Sequence, residues 1–580
     1  MSPTPRPRRT RPARTTVVGG VRVLTEQARA DTEKRAGEGG LRGWWARRIL
    51  SSDDHRRVNA GRGGRNDEQP ALPNSDAGAV RLSDRGYRGR GGGRARVVAA
   101  TPEWRATTTQ VAGLWPFAVG AAAPMLGTPI GEHLITGAAV HFDPMTAFLR
   151  KLITAPSLFV LALNGFGKSS LIRRIITGRV AAGDTVLVVG DTKPDYRDLV
   201  EQLGGQVIPV GYGQSVINPL DVGAYGLAVA QLPDPAQRRE VAARVHAAQV
   251  TIVAGLIELV RGERVADFEE VLLAAAVRVL YDPDAGGFTH ERPPHLSDLL
   301  EVIATGSDRL IAYAEEDTAQ AYRASTKPLR RSLRALTEGP FGEVFDGPTT
   351  VPLDLSRPAV CIDVSGVPEG DAKLLAAVLM VCWSAGFGAI GAAHALADAG
   401  LQPPRLFGVV MDEIWRVLSA GGDYMVDRVD ALTRLHREFA TWLVMCSHTL
   451  RDLAAFNSAT AQAKGIGLFD RARAKIIGAV GPDEIDRIRG SIGITETAKL
   501  LVTSWAAPLP ASDTDHLDSP SHGEDTPPGM GCFLLLTGES STDSAGTPFR
   551  LHFTPTERAT AVHNTNRRFD FDHEMRARQW

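Results

Sequence analysis

Residues Ala162-Leu-Asn-Gly-Phe-Gly-Lys-Ser169 decide how the rest of the chain is read. They close the apolar run Ser157-Leu-Phe-Val-Leu-Ala-Leu163 and lead into the helix-like stretch Leu171-Ile-Arg-Arg-Ile-Ile-Thr177. A strand, a glycine-rich loop and a helix start make the setting of a phosphate-binding P-loop. Successive backbone N–H groups of such a loop point inward at phosphate oxygens, and the helix N-terminus adds partial positive charge. Gly165 and Gly167 let the backbone close where a Cβ would collide. Asn164, Gly165, Phe166, Gly167, Lys168, Ser169 and Ser170 form the expected nucleotide cradle. Within it Lys168 is placed to reach the β- and γ-phosphates and the Ser169 hydroxyl to hold Mg²⁺. ATP and Mg²⁺ are therefore the expected ligands. The first glycine of the usual pattern is replaced here by Ala162, a small residue that fits the same turn.

Strand-like runs recur after the loop. Asp184-Thr-Val-Leu-Val-Val-Gly190 ends in Asp191-Thr-Lys-Pro-Asp-Tyr196, and Gly205-Gln-Val-Ile-Pro-Val210 follows. Ala359–Val364, Leu406–Met411, Thr441–Cys446, Lys475–Val480 and Cys532–Leu536 continue the series, with a helix from Lys373 to about Ala385. Strands alternating with helices predict an α/β fold with a mostly parallel sheet. Between 233 and 345 the apolar period becomes helical, as in Phe268–Leu280, which predicts an all-helical insertion. At 580 residues the chain is too long for one small core. The expected organisation is a basic tail over 1–104, a lead-in of strands and loops over 105–150, an ATPase core over 151–232 and 346–580, and the insertion over 233–345.

Charge is divided unevenly. The first 100 residues hold 22 Lys or Arg against 10 Asp or Glu, a net of +12, and the remainder carries −13. Arg85-Gly-Tyr-Arg-Gly-Arg-Gly-Gly-Gly-Arg-Ala-Arg96 is an arginine–glycine tract, a composition that predicts disorder and an anionic partner such as DNA. Leu41-Arg-Gly-Trp-Trp-Ala-Arg-Arg-Ile-Leu50 is basic and aromatic, suited to a membrane surface or a partner. The four cysteines, Cys361, Cys382, Cys446 and Cys532, lie far apart among apolar neighbours. They imply neither a zinc site nor a disulfide framework. The N-terminus lacks the apolar core of a signal peptide, and the longest apolar candidate, Ala376–Ala392, reads as a buried helix. A cytoplasmic protein is expected, with any membrane contact peripheral.

The acidic pair Asp412-Glu413, at the end of an apolar strand, separates a hydrolytic motor from other P-loop proteins. The aspartate is placed to hold the Mg²⁺ shell opposite Ser169, and the glutamate to deprotonate the attacking water.

With Asp412-Glu-Ile-Trp-Arg416, Asp191–Tyr196, Ile217-Asn-Pro-Leu-Asp221, Phe345-Asp-Gly347, Gln110–Phe117, the stretch on to Gly131, and His141-Phe-Asp-Pro144 in this order, the sequence resembles a known family. It is similar to the type IV secretion and conjugation ATPases of the VirB-four kind, within the FtsK–HerA class of ring-forming motors, over about residues 106–556. The resemblance implies a RecA-like P-loop NTPase core, a homo-oligomeric, hexameric ring, and secretion-channel or coupling proteins as partners. It also implies a polar sensor after the acidic pair, usually glutamine, whose position His448 holds. An arginine completing the neighbouring subunit's site is implied eleven residues earlier, at Arg437, with Arg434 one turn away as its rival. Relatives carry a folded domain before the motor, where this sequence has the basic tail. Catalysis is thus expected from Lys168, Glu413, Arg437 and His448, with Ser169 and Asp412 at the metal. The leading expectation is an ATPase powering a conjugative DNA-transfer machine. Its alternatives are a translocase acting directly on DNA and a nucleotide-regulated scaffold that hydrolyses ATP weakly.

Overall fold

The computed structural model describes residues 15–18, 21–37, 43, 46–54, 57, 125–421, 440–453, 458–507, 529–537, 546–560 and 562–563. They fall in two units, 1–118 and 119–580.

In the first unit, strands β1 (Thr15–Val18) and β2 (Val21–Leu24) pair as an antiparallel hairpin, followed by a helix over Glu26–Ala36. The buried Asp53 carboxylate accepts from the Leu24 N–H at 2.6 Å and from the Arg29 and Arg57 guanidiniums at 3.1 and 2.8 Å. The expectation of a tail without order does not hold for these residues. Charge-assisted hydrogen bonds around one carboxylate supply local cohesion that a count of apolar residues does not register. The arginine–glycine tract lies outside the described residues.

In the second unit, β5 (Ser157–Leu161) is buried along its whole length because parallel strands flank it on both sides. One 11-stranded sheet contains β3 (Pro129–His133), β4 (Ala139–His141), β6 (Thr185–Asp191), β7 (Gln206–Gly211), β8 (Ala359–Gly366), β9 (Phe407–Met411), β10 (Thr441–Ser447), β11 (Ala474–Ile477), β12 (Cys532–Thr537) and β13 (Thr547–Leu551). Their order is β4-β3-β13-β12-β11-β5-β10-β9-β6-β8-β7. The seven strands from β11 to β7 are parallel, and the four at the other end are antiparallel. The sheet is thus mostly parallel, and the lead-in strands β3 and β4 are its outermost members rather than a separate layer.

Alternate residues feed two cores. Leu158, Val160, Val186, Val188, Val410 and Val444 face the helix Lys168–Ala181, which contributes Leu171, Ile172, Ile175 and Ile176. Phe159, Leu161, Leu187, Val189, Met411 and Met445 face the long helix Ala372–Asp398 and the helices between β7 and β8. A sheet covered on both faces needs continuous apolar strands, and that is the pattern the sequence carries. The helix expected to end near Ala385 runs on to Asp398, because Ile390, Ala393 and Leu396 keep its apolar face buried past the glycines. Among the described residues two helices, Pro235–Arg261 and Ala372–Asp398, are long and apolar enough to cross a membrane, and most of each such stretch is buried inside the fold.

Candidate nucleotide site

Strand β5 lies between β10 and β11, and β10 lies beside β9, so the C-terminal ends of these neighbours converge. The P-loop follows β5, His448 follows β10, and Asp412-Glu413 follows β9. Ligands of open parallel sheets collect at these carboxyl ends. Gly167 stands at φ +93°, in the left-handed region that glycine enters without strain, and it starts the helix with no side-chain cap. The first turn therefore presents its backbone dipole to the loop, which suits an anion. A Cβ at Gly165 would meet only open space. The residues present fit a triphosphate and its Mg²⁺.

Lys168, only 7% exposed, donates to the Ala162 and Leu163 carbonyls at 2.8 and 3.2 Å and to Nδ1 of His448 at 2.7 Å. Burial pulls its ammonium below the usual lysine range, against the opposing charges of Asp412 and Glu413. An ammonium can only donate, so Nδ1 of His448 accepts and Nε2 carries the proton. That Nε2–H is directed at Oε1 of Glu413, 2.9 Å away. His448 thus bridges the P-loop lysine and the acidic pair.

Glu413 is held from three sides: by His448, by the Trp415 indole N–H on Oε2, and by Lys193 at 3.5 Å. Burial opposes its charge, yet the hydrogen bonds from His448 and Trp415 and the charge of Lys193 keep the carboxyl down at about 2. Its backbone sits at φ +51°, a strained position for a side-chain-bearing residue that turns the carboxylate back toward β10. Asp412 accepts from Tyr196 Oη at 3.1 Å, from its neighbour's N–H at 2.9 Å, and from the Cys446 thiol. Loss of solvent, then the adjacent Glu413 charge, pushes the Asp412 carboxyl up.

The structure brings Lys168, Ser169, Asp412, Glu413 and His448 together. Arg437 and its rival Arg434 lie outside the described residues. Other contributors escaped the sequence reading. The Ser169 hydroxyl donates to Asp195 at 2.8 Å, and Asp195 in turn lies 3.6 Å from the buried Arg173 guanidinium. Asp191 accepts the N–H groups of Asp195 and Tyr196, at 3.2 and 2.8 Å, and so folds their loop against the P-loop. Asp195 and Tyr196 were visible in the Asp191–Tyr196 segment, but their roles depend on that fold-back. The turn before β12 also supports the cradle, with Gly531 N–H donating to Phe166 O at 3.2 Å.

The irregular first position has a structural complement. Ala162 is fully buried, and Gly478, at the end of β11, faces it: a Cβ there would stand 2.6 Å from the Ala162 Cβ and 3.1 Å from the Phe533 ring. The methyl group absent from 478 makes room for the one present at 162. Gly478→Ala is expected to lower stability by about 1–3 kcal/mol through overpacking. Adding Ala162→Gly should recover most of that loss in a denaturant-melt double-mutant cycle, whereas additive effects would show the two sites are not in contact.

No protein-family model matches the chain, and no curated protein matches it by sequence. A solved structure does match in fold. The structure of VirB4 of Thermoanaerobacter pseudethanolicus aligns with a TM-score of 0.54 at 18% identity, over 76% of this chain and all of that one. The plasmid coupling protein TrwB, solved with the non-hydrolysable GTP analogue GDPNP, aligns at 12% identity over 75% of this chain and 96% of that one, with a TM-score of 0.41. The chain has the α/β, RecA-like P-loop NTPase fold of VirB4, so the resemblance to the type IV secretion ATPases read from its sequence holds at the level of the fold.

Proposed function

We propose that this protein is an ATP-hydrolysing motor of a type IV secretion-like conjugative DNA-transfer machine. The observation that carries the reading is the His448 bridge, which ties the candidate phosphate-binding lysine to the candidate base in one hydrogen-bonded line. The P-loop amides and Lys168 bind the triphosphate, and the Glu413 carboxylate accepts a proton from the attacking water. Ser169 and Asp412 are the residues that would hold Mg²⁺, whose bound charge offsets that of the β- and γ-oxygens. His448 and Lys193 occupy Oε1 of the Glu413 carboxylate and Trp415 takes one lone pair of Oε2, so the direction of the group is fixed and Oε2 keeps a lone pair for the water. The VirB4 fold supports the secretion setting. In this reading the active form is a ring of six in the cytoplasm, peripheral to the membrane, whose sites are completed by Arg437 of a neighbouring copy.

Lys168→Ala removes the ammonium from the cradle. Affinity for a fluorescent ATP analogue is expected to fall about ten- to a hundredfold, the worth of a hydrogen bond to a charged group. Unchanged affinity would place nucleotide binding elsewhere and remove the basis of the proposal.

A further inference from the structure

Residues Ala319–Thr337 hold five basic side chains and no acidic one, in a body that is otherwise net acidic. The segment forms two helices, Ala319–Ser325 and Lys327–Thr337, joined through Thr326 with i to i+4 bonds maintained on both sides of the junction. At 3.6 residues per turn, Arg323, Lys327, Arg331 and Arg334 point within roughly 80° of one another. All four are exposed, while Leu329, Leu333 and Leu336 on the opposite side are fully buried in the insertion. The line of charge extends for roughly 16 Å at 1.5 Å per residue.

Elsewhere on this surface exposed arginines stand beside carboxylates, as in Arg197–Glu201, Arg244–Glu240, Arg357–Asp354 and Arg489–Glu496. Among the described residues, Arg323, Lys327 and Arg331 have no carboxylate within ion-pair distance, and Arg334 has one, Glu338, at 3.7 Å. A single-sign stripe of mostly guanidinium groups is suited to a row of phosphates, which they can grip bidentately. A membrane surface fits less well. An interfacial helix buries an apolar face in the lipid, and the apolar face of this helix is already spent inside the protein.

We infer that the exposed face of Arg323, Lys327, Arg331 and Arg334 is a sequence-independent docking surface for the phosphate backbone of a nucleic acid. It deepens the motor proposal by placing the DNA contact on the helical insertion, and it is tested without ATP so that the two readings can fail separately. The full chain is titrated onto a fluorescein-labelled, mixed-sequence 30-base-pair duplex at several salt concentrations. In the variant R323A/K327A/R331A/R334A, affinity at 100 mM salt is expected to drop at least about tenfold, and the slope of log K against log salt to become shallower by about three. The matched R323K/R331K/R334K variant retains the slope, which separates lost charge from lost structure. An unchanged affinity and slope would overturn the inference and leave binding to the basic N-terminal region. Loss of binding to phosphatidylserine-containing vesicles with DNA binding intact would also overturn it, in favour of a membrane surface.

Discussion

Replacing Glu413 with glutamine is expected to reduce ATP turnover by about 10²–10⁴-fold, the usual share of a positioned general base. Affinity for ATP should change by no more than a few-fold, because Lys168 and the P-loop amides are untouched. The carboxylate presents acceptor oxygens to three donors: the Nε2–H of His448, the Trp415 indole and the Lys193 ammonium. A glutamine side chain offers one oxygen and one amide, so one donor is left facing another donor. The loss therefore combines absence of a base with a disturbed bridge to Lys168. Steady-state phosphate release and equilibrium binding, measured on the same preparation, separate the two quantities. Turnover equal to that of the parent would remove Glu413 from the chemistry and favour the scaffold reading. A matching fall in binding affinity would instead show that the substitution collapses the cradle.

The contrast between Glu413 and its surroundings shows what a sequence can disclose. The apolar strands, the loop and the acidic pair are local patterns, since burial on both faces of a parallel sheet demands uninterrupted Val, Ile and Leu. Lys168, Ser169, Asp412 and Glu413 could be named because each sits at a fixed offset from such a strand. The order of the strands is not local. Nothing in Leu406–Met411 or Thr441–Cys446 states that their ends lie beside the P-loop, yet that adjacency lets His448 reach both Lys168 and Glu413. The same holds for Gly478 against Ala162, for Tyr196 on Asp412, and for β3 and β4 at the antiparallel end of the sheet. Each is a meeting of distant segments chosen by packing. The positive φ of Glu413 is likewise invisible in its residue type, since glutamate has no preference for that region.

Replacing Arg179 with alanine is expected to be the most destabilising single change away from the nucleotide site. Arg179 lies in the last turn of the helix that begins at the P-loop, and it is 6% exposed. Its guanidinium grips Asp184 with two nitrogens at 2.8 and 2.7 Å, and Nη1 reaches Asp143 at 3.3 Å and Thr146 at 3.0 Å. Asp184 also accepts from the buried Trp442 indole at 2.8 Å, which extends the network under β10. Asp143 caps the helix Pro144–Leu149 through the Thr146 N–H at 2.7 Å and accepts the Thr128 N–H at 2.9 Å. One side chain therefore ties the P-loop helix to the lead-in and to the start of β6. Its removal leaves two carboxylates, 1% and 4% exposed, without their counter-charge. Breaking a buried pair in this way costs about 3–5 kcal/mol, far more than an exposed one. Urea denaturation followed by circular dichroism should show a lower midpoint with an unchanged slope. Arg179→Met should behave alike, because filling the volume does not compensate the charges. The combination D143N/R179M/D184N should recover part of the loss, since no uncompensated charge then remains buried. A midpoint shift worth less than about 0.5 kcal/mol for Arg179→Ala would be the size expected of a surface position, and would mean that the two carboxylates reach water once the arginine is gone.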